Sequence, residues 1–152
     1  MLPATTTGLD LRWLPELPAG SFILVAPSQP VRYRGHWWRH REGGYTDGMS
    51  DPKLVQALFA DGNPFGWHFP ADVNHDGGYH GALEMQQADG TWQPFDLPKE
   101  EVDFLYREHL IQLAGMDESR LREIPFIYQA VNLGGGPAYT AGHAKPPLWQ
   151  SS

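Results

Sequence analysis

The chain contains no cysteine among its 152 residues. This absence excludes disulfide bridges, zinc–thiolate sites and cysteine nucleophiles, so any chemistry must use other side chains. The sequence also has no apolar run near the roughly 18 residues that a membrane-spanning helix needs. Its first residues lack the basic start and the apolar stretch of a signal peptide. These absences predict a cytoplasmic protein, with a place in a virion or export by another route as alternatives.

Positive charge is also scarce, because 11 Lys and Arg residues face 18 Asp and Glu residues and give a net charge of −7. An acidic domain of this kind argues against nucleic acid as a partner. Glycine and proline are abundant, at 17 and 14 residues, and predict many turns and short elements. The length and the 41% hydrophobic content fit one globular domain with its own core.

The N-terminal half carries strand patterns and one helix pattern. Residues 1–20 contain several prolines with little periodicity, which predicts an irregular arm. The compact apolar run 21–26 predicts a buried strand. Residues 31–41 alternate around Gly35 and predict a β-hairpin. Residues 50–62 combine a capping residue, an apolar face and a final glycine, and this combination predicts a helix.

Helix patterns dominate the second half. A helix is predicted from about Pro70 to Met85, and Asp89-Gly90 is typical of a hairpin tip. The strongest pattern spans 99–115, where acidic residues crowd the start and glycine follows the end. The side chains that form its apolar stripe, and that we expect to be buried, are Val102, Leu105, His109, Leu110 and Leu113.

The C-terminal part predicts one more helix and a tail. The helix covers 119–136 and is expected to kink or restart at Pro125, because proline removes a backbone donor. Residues 141–152 predict an extended tail. The sum is an α+β fold in which an N-terminal β-hairpin region precedes three or four packed helices. Residues 21–140 then form a single globular domain.

The sequence NHDGGYHG at residues 74–81 carries the most specific chemistry. On a helix His75 and Tyr79 lie one turn apart on the same face, while Asp76 points about 100° away. His75 and Asp76 must therefore serve separate functions. His75 suits a general base, because its ordinary pKa is about 6.5. Such a base needs a carboxylate on its other ring nitrogen, and Asp103, beside the apolar stripe of its helix, is the candidate.

Gly77 and Gly78 conflict with a helix at this point, since each glycine costs about 1 kcal/mol relative to alanine. Such conflicts are expected where a ligand or another part of the backbone approaches closely. The competing interpretation is that the helix breaks here and that the polar residues are structural or solvated.

The order of the motifs resembles a family of uncharacterised phage, prophage and bacterial proteins, the domain of unknown function thirteen-fifty-three. The segments that carry the resemblance are Thr46–Lys53, His75–Tyr79, Asp103–Tyr106 and Tyr128–Tyr139. They keep the family's order and spacing over roughly residues 20–140. The resemblance implies a phage or prophage protein, with other phage proteins as partners.

The H-D-x-x-Y helix facing an aspartate-bearing helix also resembles the catalytic core of phospholipase A2, and implies a similar helical core. By that resemblance His75 activates water, Asp76 binds calcium, and Asp103 and Tyr79 orient the histidine. Asp47, in the glycine-containing segment before the motif, is then a second ligand of the divalent cation. The implied activity is hydrolysis of phospholipid esters. The alternative is a non-catalytic phage accessory or structural protein in which these side chains form a structural cluster.

Two further patterns allow other interpretations. His68, Asp72, His75, Asp76 and His80 cluster in the sequence, and Asp72, Asp76 and His80 recur every four residues. A His–Asp phosphohydrolase would use such residues around a divalent metal, but the separations here are too short for that fold.

The basic, aromatic-rich hairpin at residues 32–41 includes Trp37, Trp38 and Arg39, and predicts a surface contact with an anionic lipid, a glycan or another envelope component. Because alternate strand residues face opposite ways, the competing interpretation places one face in the core and one in solvent.

Overall fold

Two antiparallel sheets and four helices make up the part of the chain that the computed structural model describes, residues 9–14, 21–46 and 66–144. The predicted α+β class is confirmed. The three-stranded sheet has the order β1-β2-β5, with the strands Leu11–Leu14, Ser21–Leu24 and Tyr45–Thr46. The four-stranded sheet has the order β3-β4-β6-β7, with the strands Val31–Tyr33, His36–His40, Leu83–Gln86 and Trp92–Pro94.

The helices are α1 (Phe69–Tyr79), α2 (Lys99–Ala114), α3 (Glu118–Gly134) and α4 (Gly136–Ala144). The predicted helix at 99–115 is confirmed as α2, and Leu113 is the one member of its predicted stripe that is only partly buried. The predicted helix at 50–62 lies outside the described residues. None of the described helices is long and apolar enough to cross a membrane.

The predicted hairpin at 31–41 is formed by β3 and β4. Arg34 and Gly35 connect the strands with φ angles of 50° and 78°, the left-handed pair that suits a two-residue hairpin turn. The alternation sends Trp37 outward, where it is 38% exposed, and Trp38 inward, where it is 4% exposed. Trp38 packs in the core and donates from its indole nitrogen to the carbonyl of Tyr33. The predicted surface contact through Trp38 is therefore wrong.

Arg39 is also less available than a surface contact requires. Its Nε donates to a carboxylate oxygen of Glu84 at 2.8 Å, and its guanidinium lies 4.1 Å from the ring centroid of Trp92. Both partners belong to strands of the same sheet. Of the predicted contact residues, Trp37 is the most exposed, at 38%, and the guanidinium carbon of Arg32 lies 5.4 Å from its ring centroid.

The helix predicted from Pro70 to Met85 is six residues too long. α1 ends at Tyr79, Gly81 turns the chain with a φ of 67°, and β6 follows. Leu83 and Met85 alternate with polar residues, which is the period of a strand. β6 pairs with β4 and β7, and the predicted hairpin tip at Asp89-Gly90 joins it to β7.

Three predictions for the ends of the elements also need correction. Leu11–Leu14 is not irregular, because it pairs with β2. Residues 141–144 belong to α4 rather than to an extended tail. α3 runs through Pro125 without restarting, since the proline lies on an exposed face where the carbonyl that loses its donor is not trapped in the core, while the alternative of a kink at Pro125 stays a prediction.

Helix α1 is buried along its whole length, and its glycines allow this. The ring of His40, from β4, lies against Gly77, where an added Cβ would stand 2.7 Å from the histidine Cγ. Gly78 receives the side chain of Val102 from α2 even more closely. Gly44 lies against the same histidine ring. The glycine pair therefore provides close packing for a sheet and a helix and does not break α1.

Two histidines are buried next to α1 without a carboxylate partner among the described residues. Nδ1 of His40 donates to the backbone carbonyl of Val73 at 2.8 Å, and burial lowers the pKa of His40 to about 3. His109, on α2, contacts the side-chain amide of Asn74, and burial lowers its pKa to about 4. Both imidazoles are therefore neutral in the folded protein near pH 7.

Replacing Gly77 or Gly78 by alanine is expected to destabilise the protein, although alanine favours helices. The new methyl group would collide with His40 or Val102, and overpacking of this kind costs about 1–3 kcal/mol. Gly134, also helical, has open space where a Cβ would stand, with no neighbour within 4 Å, so Gly134→Ala is the matched control. It should leave stability unchanged or raise it by up to about 1 kcal/mol. Equal stabilities of the three variants in urea unfolding would contradict this packing.

Acid should weaken the fold through the buried histidines. Their pKa values are lower in the folded than in the unfolded state, so the unfolded state gains protons first as the pH falls below about 6.5. Between pH 6.5 and 4.5 each should remove about 2 kcal/mol from the free energy of unfolding. His109→Gln should reduce this pH dependence, whereas replacing the exposed His36 should not. An unchanged slope in His109→Gln would rule out this origin of the acid sensitivity.

Candidate functional site

The three residues predicted to form a catalytic site meet between α1 and α2. Nε2 of His75 lies 2.9 Å from Oδ1 of Asp103, and the hydroxyl of Tyr79 donates to the same oxygen at 2.9 Å. The four-residue spacing on α1 places the histidine and the tyrosine on the face turned toward α2. Asp103 is fully buried beside the apolar stripe of α2, as its position in the sequence predicted.

Lys99 completes the site, and the sequence reasoning missed it. Its ammonium group donates to Oδ2 of Asp103 at 2.6 Å and to the backbone carbonyl of Asn132, on α3, at 3.1 Å. The available signal was the four-residue spacing of opposite charges on α2. The carboxylate of Asp103 therefore receives three donors from two helices.

These donors decide the charge of Asp103. Burial by itself raises the pKa of this carboxyl group, but the hydrogen bond and the charge of His75, with the hydrogen bonds of Lys99 and Tyr79, outweigh burial and leave the pKa lowered. The carboxyl group is therefore ionised near pH 7 and can only accept hydrogen bonds. Nε2 of His75 must then carry the proton, which leaves Nδ1 as the basic nitrogen of the neutral ring.

The imidazole of His75 is held between two tyrosine rings. The ring centroid of Tyr79 is 4.1 Å away and that of Tyr106 is 4.6 Å away, with interplanar angles of 44° and 40°. His75 is 5% exposed. Its Nδ1 has no hydrogen-bond partner within residues 9–14, 21–46 and 66–144, so this atom can accept one from a water molecule or a substrate.

A second buried carboxylate supports the other tyrosine. The hydroxyl of Tyr106 donates to Oδ1 of Asp72 at 2.6 Å, and Nδ1 of His68 lies 2.6 Å from Oδ2. Burial raises the pKa of Asp72, and its bonds with His68 and Tyr106 only partly oppose this shift. Each tyrosine that packs on His75 is thus anchored to its own carboxylate. The four-residue spacing of His68 and Asp72 was the one signal of this network in the sequence.

Asp76 points away from His75, as predicted for adjacent helical residues. Its Oδ2 accepts a hydrogen bond from the hydroxyl of Thr46, on β5. The other predicted cation ligand, Asp47, follows Thr46 and lies outside the described residues. No cluster of three or more His, Asp or Glu side chains suited to a metal ion occurs in the described part of the chain, and calcium at Asp76 stays a prediction.

No metal site formed by Asp72, Asp76 and His80 is found among the described residues, so this alternative is unsupported and stays a prediction. Their side chains have different neighbours, because Asp72 binds His68 and Tyr106, whereas Asp76 binds Thr46. His80 stacks on Tyr45, with ring centroids 4.1 Å apart. The four-residue spacing reflects a helix that is surrounded on all sides, in which Asp72 faces Tyr106 of α2 whereas Asp76 and His80 both face β5.

The glycine-rich segment at 133–136 also contributes to the site. α3 ends at Gly134, which confirms the predicted helix stop. A Cβ at Gly135 would overlap the Tyr79 hydroxyl, and one at Gly142, in α4, would overlap the Tyr79 carbonyl. These two glycines therefore let the start and the end of α4 pack directly on the tyrosine that binds Asp103.

Removing the carboxylate charge of Asp103 is expected to cost about 2–4 kcal/mol in stability, because its ionised form holds three buried or half-buried donors. Asp96 is the matched control, since it pairs with His143 at 2.8 Å but is exposed. Asp96→Asn should change the free energy of unfolding by less than about 1 kcal/mol. Urea unfolding compares Asp96→Asn with Asp103→Asn, and equal costs would show that Asp103 does not organise the interface.

Comparison of the chain with known protein-family models, curated proteins and solved structures finds no match. The resemblances to the phage family and to phospholipase A2 therefore remain hypotheses, and the functional conclusion depends on the site itself.

Proposed function

We propose that the chain is a small hydrolase in which His75 is the general base and Asp103 orients it. One observation carries the proposal: the ionised, fully buried carboxylate of Asp103 binds Nε2 of His75, while Nδ1 is left without a partner among the described residues. This arrangement selects the tautomer with a lone pair on Nδ1 and stabilises the ring when that atom takes a proton.

The chemistry that suits this geometry is attack of water on an ester. Nδ1 of His75 removes a proton from water while the water oxygen forms a bond to the carbonyl carbon. The C–O bond to the leaving alcohol then breaks, and the imidazolium returns the proton to that oxygen. Asp103 stays ionised throughout and offsets the positive charge of the ring. Tyr79 and Tyr106 restrict the ring to one orientation.

The substrate class that we propose is a phospholipid or related ester of a cell envelope, acted on by a phage or prophage protein. Support comes from the resemblance of the His75–Tyr79 motif and Asp103 to phospholipase A2, together with their contacts in the fold. A divalent cation held by Asp76 and Asp47, with calcium as the first choice, would supply positive charge to the developing oxyanion.

The alternative function is a non-catalytic phage accessory or structural protein. The observation that favours it is burial: His75 is 5% exposed, and Asp103 and Tyr79 are almost inaccessible. A hydrogen-bonded cluster of this kind fixes the packing of two helices without any reaction. The two functions make opposite predictions for a conservative change at His75.

We expect the wild type to hydrolyse phosphatidylglycerol vesicles or p-nitrophenyl butyrate, and His75→Gln to lose at least about 100-fold of that rate. His109→Gln is the matched control, because His109 is a buried histidine near the same helix pair without a carboxylate partner among the described residues. It should retain most of the activity. Rates are measured with calcium and with EDTA, per folded molecule as judged by circular dichroism.

Loss of activity in His75→Gln with a native spectrum supports the hydrolase. Two results would overturn it: equal rates in wild type and His75→Gln, or no hydrolysis by the wild type combined with a His75→Gln variant that loses about 1–3 kcal/mol of stability. The second result favours the structural alternative.

A further inference from the structure

An apolar groove runs between α2 and α3. Its volume is about 710 Å³, within the range of roughly 300–1,000 Å³ that is typical of small-molecule sites. The lining residues that carry apolar contact are Ile111, Leu121, Ile124, Pro125, Tyr128 and Leu133. None of the residues that form the groove is His75, Tyr79 or Asp103.

Some of the apolar side chains that line this groove are exposed to solvent, although apolar side chains are usually buried. Ile111 is 41% exposed and Leu133 is 77% exposed. Single exposed apolar residues are common, but a contiguous concave set marks a binding site more often than chance exposure does. The groove therefore presents a length of apolar surface that a flexible hydrocarbon chain can cover.

One cation, Arg107, borders the apolar surface. Its guanidinium carbon lies 5.5 Å from the ring centroid of Phe104 and 5.1 Å from that of Tyr128, so two aromatic rings hold it in place. Its Nε is buried without a hydrogen-bond acceptor, and no carboxylate within the described ranges pairs with it. An arginine in this state suits a carboxylate or phosphate from outside the chain, because its planar donors bind such groups in pairs.

The surroundings of Arg107 on its other side are also basic. A smaller cavity of about 340 Å³ shares Arg107 and is lined by Arg32, Arg34 and Glu108 as well. Glu101 neutralises Arg34 at 2.9 Å, while neither Arg32 nor Glu108 forms an ion pair in the described structure. The two positive charges of Arg107 and Arg32 exceed the single negative charge of Glu108. The local charge is therefore positive on a chain whose net charge is −7.

We propose that this groove binds a long-chain fatty acid, with its carboxylate on Arg107 and its hydrocarbon chain along the α2–α3 groove. The ligand matches the two features that the surface offers, because its hydrocarbon chain fits the apolar groove and its carboxylate fits the cation of Arg107 beside it. The concave shape suits a single chain better than a flat bilayer. The proposal does not depend on the hydrolase, because the groove and the His75 site use different side chains.

Isothermal titration calorimetry with dodecanoate below its micellar concentration tests the site. The wild type should bind about one dodecanoate, and Arg107→Gln, which keeps much of the length of the side chain but removes the charge, should weaken binding at least about tenfold. Ile111→Gln should weaken binding through the apolar part. Arg122→Gln is the matched control, because Arg122 is exposed on α3 and does not line the groove. Arg122→Gln and His75→Gln should bind like the wild type.

Several outcomes would overturn this site. The first is that the wild type fails to bind dodecanoate, or that Arg107→Gln and Ile111→Gln bind it as well as the wild type does. The second is that dodecyltrimethylammonium binds as tightly as dodecanoate, which would leave no function for Arg107. The others are binding to phosphatidylglycerol vesicles only, and a dimer in sedimentation that Ile111→Gln abolishes while dodecanoate has no effect. The last two results would assign the groove to a bilayer or to a second copy of the chain.

Discussion

The burial of one carboxylate constrains the packing of three helices. Asp103 is removed from water, and an ionised carboxylate in that position is tolerated only when its oxygens are bonded to donors. His75 and Tyr79 supply two donors from α1, and Lys99 supplies the third from α2 while it also binds the carbonyl of Asn132 on α3. A shift of α1 along α2 by one turn would separate the carboxylate from two of these donors. The buried charge therefore restricts the register of the helices in addition to their apolar contacts.

The second requirement is close approach to the backbone of α1. Gly77 and Gly78 weaken the helix intrinsically by about 1 kcal/mol each, yet they admit the ring of His40 on one side and Val102 on another. Gly135 and Gly142 give α4 the same access to Tyr79. Because α1 is covered from every direction, polar residues that follow one another along it meet different partners. This explains how one short motif places His75 against α2 and Asp76 against β5.

The contacts of the candidate site could be predicted from the sequence where they depend on the spacing of residues within one helix. His75 and Tyr79 are one turn apart, and Asp103 borders a clear apolar stripe, so their meeting could be predicted. Lys99 had an equally local signal that was overlooked. The prediction of a helix to Met85 is wrong because β6 pairs with β4, a strand more than 40 residues earlier in the sequence, and this pairing leaves no local signal. Trp38 was placed on the surface because composition does not show which face of a strand is turned to the core. The network of Asp72 and Tyr106 depends on the packing of α1 on α2 and had no complete signal in the sequence.

The buried histidines near α1 show why the Asp103 carboxylate bears on function. Burial keeps His109 neutral and is the main cause at His40, where the charge of His80 adds to it, and the lowered pKa values reflect the cost of placing a proton on an imidazole without a counter-charge. His68 faces Asp72, but burial raises the pKa of that carboxyl group and makes it a weaker counter-charge. His75 faces a carboxylate whose pKa is lowered, so protonation of its ring completes an ion pair rather than creating an isolated buried charge. In the proposed hydrolysis, a proton that His75 accepts from water would be stabilised by an interaction with a carboxylate that His40 and His109 lack.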